Sequence, residues 1–195
     1  MARERIAAMI DAIIEREGGA KFTDHAADRG GPTKFGITQG ALAAWRGRPV
    51  TRDDVAALER AEAWQIYWRK YVAAPGFADI HDDLLAEQVI DAGVNHGPVR
   101  AARWLQTLAG VAVDGDVGPI TLRAVNGADG RALNIRFASY RIRFYGRLIA
   151  GNARARRDGR LPQSRDQALF ASGWMNRATE FLDRLAARFG PAARP

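Results

Sequence analysis

An apolar ladder opens the chain. Ile6, Met9, Ile10, Ile13 and Ile14 recur at steps of three and four, the period that gathers side chains on one face of a helix. The ladder predicts a helix over residues 3–17, stopped by Gly18-Gly19. The next stretch has the opposite character. Residues 20–38 hold Gly30-Gly31-Pro32, Gly36 and short β-type runs such as Lys34-Phe35-Gly36-Ile37-Thr38. They read as a loop with one small hairpin. Any fold of this chain must therefore pass from a half-buried helix straight into a glycine-rich hairpin.

The remainder reads as helix. Thr38 can cap a short helix through Trp45, and Thr51 with Asp54 fits a capping box that opens helix continuing in some form to Tyr71. Pro75-Gly76 breaks the chain, and residues 82–92 form a helix ended by Gly93. Pro98 opens another helix to Leu108, turns fill residues 110–119, and Pro119 suits a first helical position. A long helix is expected over 131–150, a polar loop over Arg154 to Arg165, and a last amphipathic helix over Asp166 to Phe189. The fold class is mainly α, a helical body with one small N-terminal β-hairpin.

Several classes of function fall away. Cysteine is absent, so no disulfide framework or thiolate metal site exists. His25, His81 and His96 lack metal-ligand spacing, no phosphate-binding glycine loop follows a strand, and no Gly-x-Ser-x-Gly elbow occurs. No metal and no cofactor is expected. Glu4, Arg5, Asp11, Glu15 and Glu17 interrupt the first helix, which is therefore no secretory signal. The expectation is a protein made in the cytoplasm without a cleavable leader.

Net charge is +7, carried almost wholly by arginine. Arg131, Arg136, Arg141, Arg143 and Arg147 follow one another without an acid. They read as a solvated basic face or as a contact for anionic envelope material. No aromatic stacking motif accompanies them, so nucleic acid is not expected, and the chain is expected to be monomeric.

Two carboxyls eleven residues apart stand out. Glu17 shares a helix face with Ile6, Ile10 and Ile13, in the last turn, where burial and the helix dipole both favour a protonated acid. Such an acid can donate to a glycosidic oxygen; the bland alternative is a salt-bridged residue at the edge of the stripe. Asp28 lies in a polar turn and either serves as a second carboxylate or shapes the turn, with Asp24 as its competitor. Thr33 can position a water or simply form strand, and Thr38 can touch substrate or cap a helix. Trp64, Tyr67, Trp68 and Tyr71 form an aromatic stripe, either core or one edge of a sugar groove. Asn95 caps a helix or bonds a substrate amide.

Taken together, Glu17-Gly18-Gly19 and Asp28-x-Gly30-Gly31-x-Thr33-x-x-Gly36-Ile37-Thr38 resemble the signature of the glycoside hydrolase family 108 N-acetylmuramidases, phage endolysins and secretion-associated muramidases with a lysozyme-like fold. Ala63 to Tyr71 resembles a helix of that family. Asp91 to Pro98, Leu105-Gln106, Val113-Asp114-Gly115-x-x-Gly118-Pro119-x-Thr121 and Trp174-x-Asn176-Arg177 resemble its predicted peptidoglycan-binding region. The resemblance implies a lysozyme-like catalytic region over 1–92 and a helical peptidoglycan-binding region over 93–190, packed into one body. It implies peptidoglycan glycan strands as partner, with Glu17 as catalytic acid. From the chemistry of the residues, Asp28 and Thr33 are expected to complete the catalytic set, and Thr38, Tyr67 and Asn95 to contact substrate. The expected reaction is hydrolysis of the β-1,4 bond between N-acetylmuramic acid and N-acetylglucosamine, on the wall in the periplasm after release or export. A lytic transglycosylase acting on the same bond and a non-catalytic wall-binding secretion activator are the alternatives.

Overall fold

The computed structural model describes residues 2–24, 31–160 and 171–190. It divides into two compact units, Met1–Ala78 and Asp79–Pro195.

In the first unit, α1 (Ala2–Arg16) buries Ile6, Met9, Ile10, Ile13 and Ile14, as its periodicity requires. The hairpin follows as β1 (Thr33–Lys34) and β2 (Ile37–Thr38), with Thr33 opposite Thr38 and Lys34 opposite Ile37. Thr23 adds a third, one-residue rung by exchanging both backbone hydrogen bonds with Thr33. Next, α2 (Gln39–Arg46) starts on the Thr38 hydroxyl, which accepts the Ala41 N–H. The expected capping box is present: Thr51 and Asp54 cap each other at α3 (Arg52–Ala56). The helix expected from there to Tyr71 comes in pieces, α3, then α4 (Arg60–Tyr67), then a π-helical turn over Trp68–Ala73. Charge clamps this unit together. Arg46 grips Glu62 with two parallel bonds of 2.9 and 2.8 Å, and Arg60 reaches Asp11 and Glu15 on α1.

The second unit is built around α5 (Asp83–His96), where every residue from Leu84 to Gly93 is buried. The helix does not end at Gly93, as its sequence suggested. It continues one turn to Gly97, whose φ of +89° together with the following proline ends it. Around it pack α6 (Pro98–Ala109), α7 (Pro119–Asn126), α8 (Gly130–Arg157) and α9 (Ala171–Phe189). The α8 helix runs past the predicted end at 150, because Ala and Arg are good helix formers and nothing breaks the run before Asp158 and Gly159. The start expected for α9 at Asp166 lies outside the described residues.

A buried ionic network locks α5 to α8 and α9. Arg141 is wholly buried and donates to Asp91 Oδ2 at 2.5 Å; Arg177 reaches Asp91 Oδ1 at 3.3 Å and Asn95 Oδ1 at 3.0 Å. Arg141 therefore does not belong to the basic face read from the sequence. It falls on the inward side of α8 with Leu133, Phe137, Ala138 and Tyr145, at helical spacing. Arg131, Arg136, Arg143 and Arg147 are exposed. Arg141 also donates to the Tyr145 hydroxyl, and since arginine only donates, the tyrosine's own hydrogen is free for His96 Nε2, 3.1 Å away. Burial first, then the Arg141 charge, pushes the His96 imidazole down to about 4.

Two outcomes follow from this network. Arg141→Leu leaves the buried Asp91 with only the longer Arg177 contact and should cost about 3 kcal/mol in urea unfolding, while Arg143→Leu on the exposed face should stay within about 0.5 kcal/mol. His96 binds its proton less readily folded than unfolded, so the unfolded chain takes up protons first as pH falls. Thermal stability should therefore drop between about 6.5 and about 4, and a His96→Gln variant should lose that part of the slope in a melting-temperature series.

Candidate active site

Glu17 stands at the C-cap of α1. Its N–H closes the last helical turn on the Ile13 carbonyl at 2.9 Å. Gly18 then donates to Glu15 and Gly19 to Ile14, the pair of bonds of a Schellman ending. That ending demands a positive φ, and Gly18 has +107°. The two glycines do more than stop the helix. They turn the chain so that the Gly19 carbonyl accepts the Phe35 N–H at 3.1 Å, which ties the hairpin tip to the helix end.

The tip is a two-residue turn, Phe35-Gly36, with φ of +54° and +71°. Both signs are positive, as in the type I′ turn that matches strand twist. A left-handed phenylalanine is strained. Its ring is buried and both its backbone groups are held, the N–H by Gly19 and the carbonyl by the Tyr67 hydroxyl at 3.1 Å. Gly36 is fixed by space as well. A Cβ there would lie 2.6 Å from Tyr67 Oη and 2.8 Å from Glu17 Cβ. Gly36 thus packs at once against the stem of the half-buried Glu17 and the hydroxyl of the buried Tyr67.

Tyr67 is 3% exposed. Burial, with the Glu17 carboxyl beside it, holds its phenol well above the ordinary tyrosine value. It stays neutral, with its proton committed to Phe35, and acts as a strut behind Glu17. The aromatic stripe of the sequence divides here. Tyr67 is core, whereas Trp64 and Trp68 stack at 5.6 Å and 7° and are half-buried beside Glu4 and Ala7, around a hollow of about 470 Å³.

Thr33 and Thr38 face each other across the hairpin, on the opposite side of the pleat from the buried Ile37. The Thr33 hydroxyl donates to the Gly31 carbonyl at 2.9 Å, which leaves its lone pairs as acceptors. Thr38 caps α2. Asp28 lies outside the described residues. Its competitor Asp24 is held by Arg52 Nε at 2.6 Å, and the same guanidinium covers the Phe22 ring. Asn95 belongs to the second unit, where it donates to Asp91 of its own helix turn and accepts from Arg177. Among the described residues no group of three His, Asp or Glu side chains converges as a metal site would. Sequence reasoning missed the strut role of Tyr67 and the double constraint at Gly36. The available signal was Phe-Gly between two β-type runs, a two-residue hairpin turn.

The helix-end Glu17 carboxyl thus lies beside the hairpin tip and the buried Tyr67. Residues 10–97 match the family model described as glycosyl hydrolase 108, and residues 100–179 match the predicted peptidoglycan domain. A solved structure, that of SagA of Brucella abortus, superposes with a TM-score of 0.73 at 27% identity, covering 98% of each chain. No curated protein matches the chain. Residues 10–97 belong to the glycosyl hydrolase 108 family and residues 100–179 to the predicted peptidoglycan domain, which together support a glycoside hydrolase with peptidoglycan as its partner.

Tyr67→Phe leaves the Phe35 carbonyl unpaired in a buried position, and should cost about 1–3 kcal/mol of stability. Gly36→Ala forces the tip off both Glu17 and Tyr67, and should lower lytic rate further than Tyr67→Phe, measured as clearing of cell-wall suspensions at a temperature where both variants remain folded.

Proposed function

We propose that the protein is an N-acetylmuramidase that cleaves the β-1,4 bond between N-acetylmuramic acid and N-acetylglucosamine. The observation that carries this reading is the tight packing of Gly36 against both Glu17 and Tyr67, with the Glu17 carboxyl beside the Tyr67 phenol. Glu17 gives its proton to the bridging oxygen as the bond from that oxygen to the anomeric carbon breaks. Asp28 offsets the charge that develops on the sugar or receives the proton of the attacking water, and Thr33 accepts a hydrogen bond from that water. Water's hydroxyl ends on the anomeric carbon, and Glu17 or Asp28 carries away the second proton until it returns to solvent.

In the cell this is an endolysin-type activity, which lyses the bacterial wall from the periplasmic side after release or export. The exposed arginines of α8 favour approach to anionic envelope material. A second reading is favoured by one contact. Asp24 is engaged by Arg52, which leaves Glu17 as the carboxyl that the described residues place at the hairpin tip. A lone acid suits a lytic transglycosylase, which leaves a 1,6-anhydro end in place of the added water.

Turbidity of outer-membrane-stripped cells tests both. Glu17→Gln should slow lysis by about a hundredfold or more with the circular-dichroism spectrum unchanged, and near-normal clearing by that variant defeats the assignment. Asp28→Asn should also slow it. Mass spectrometry of the released fragments separates hydrolysis from transglycosylation by one water per cut.

A further inference from the structure

The second unit holds a groove that the catalytic argument does not use. It has a volume of about 540 Å³, and Val99, Arg100, Arg103, Trp104, Val113 and Tyr140 are among its walls. Trp104 is buried and forms part of the floor, while Val99 and Val113 are 54% and 50% exposed. Two aliphatic side chains half in water across one groove are a feature to be explained.

The rim is built, not incidental. Gln106 is 1% exposed and spends its whole amide on the following loop: Nε2 donates to Asp114 Oδ1 at 2.6 Å and to the Asp116 carbonyl at 2.9 Å, and Oε1 accepts the Gly115 N–H at 2.8 Å. Gly115, with φ of +91°, packs so closely that a Cβ would stand 2.9 Å from Val99 Cγ1 and 3.3 Å from Arg103 Nε. The Asp-Gly-x-x-Gly-Pro motif is thus a brace. It fixes the loop that carries Val113 against the first turns of α6.

The charge in the groove is single-signed. Arg100 and Arg103 make no ion pair among the described residues; Arg100 lies over the Phe144 ring at 5.7 Å. Among the described residues, no carboxylate is one of the lining side chains. Asp114, the nearest acid in the brace, is turned to Gln106 and to the Asp116 N–H. The site offers two unspent guanidinium groups beside a small aliphatic and aromatic surface. A neutral sugar chain has no use for the first, and a nucleic acid none for the pair of valines.

We propose that this groove binds the peptide stem of peptidoglycan, a short chain with free carboxylates and alanine methyl groups, through Arg100 and Arg103 with Val99, Val113 and Trp104 taking the methyls. The proposal rests on the peptidoglycan reading above and adds the part of the polymer that the second unit holds. Arginine is suited to the task, since its planar fork meets a carboxylate with two parallel bonds.

The test uses the full chain and the soluble tetrapeptide L-Ala-γ-D-Glu-meso-diaminopimelate-D-Ala, with binding followed by calorimetry or by tryptophan fluorescence. The wild type should bind it, more weakly at high salt. Arg100→Gln and Arg103→Gln should each weaken binding about tenfold, and Val113→Glu should do so by repulsion without touching either arginine. Sacculi stripped of their stems by an amidase should retain the protein less than intact sacculi. Unchanged affinity in both arginine variants, or no affinity for the tetrapeptide, overturns the proposal. So does a preference for stem-free glycan, or for a DNA oligonucleotide over the tetrapeptide. Lysis by Glu17→Gln is read separately: if it is normal, the hydrolase reading falls while tetrapeptide binding still judges the groove.

Discussion

The first unit turns on how closely three pieces of chain meet at Gly36. The hairpin tip packs against both the stem of Glu17 and the Tyr67 hydroxyl, at distances no side chain could share. Each neighbour is itself held. Glu17 is fixed by the Schellman ending of α1, and Tyr67 by its bond to the Phe35 carbonyl. The strain of a left-handed phenylalanine is the counterpart of this arrangement, and it persists because Gly19 and Tyr67 hold both of that residue's backbone groups. The result is a carboxyl whose position is decided by backbone, which is the stiffest support a protein can offer a reacting group.

The second unit solves a different problem with the same economy. Asp91 and Arg141 are charges taken out of water, tolerable because each faces its opposite, because the half-buried Arg177 adds a second cation at Asp91, and because Tyr145 and Asn95 accept further guanidinium bonds. Glu87 and Arg184 repeat the device nearer the surface, with two bonds of 2.7 Å between α5 and α9. These pairs fix the register of the helices around α5. A fixed register is what lets the Gln106 brace present Val99, Val113 and the two free arginines as one formed groove.

Much of this was legible in the residues. Ile6 to Ile14 dictated an amphipathic helix, Gly18-Gly19 its end, Thr51 with Asp54 a capping box, and Pro98 and Pro119 the starts of two helices; all are present. Other features were not. Gly93 reads locally as a stop, yet α5 passes through it because burial on all sides outweighs the propensity of one glycine. Arg141 is indistinguishable in sequence from the exposed arginines around it, and only its contact with Asp91, fifty positions away, gives it a separate role. The Val113-to-Pro119 motif announced a turn but not that Gln106 would brace it.

The sequence by itself determined the helical class and the hairpin, and singled out Glu17 as the candidate acid, because these rest on short-range periodicity, turn chemistry and local spacing. Tertiary structure alone decided what supports that acid, which arginine is buried and which ones line a groove. Those outcomes depend on contacts between residues far apart in the chain, and local pattern carries no information about which distant side chain will arrive to share the space.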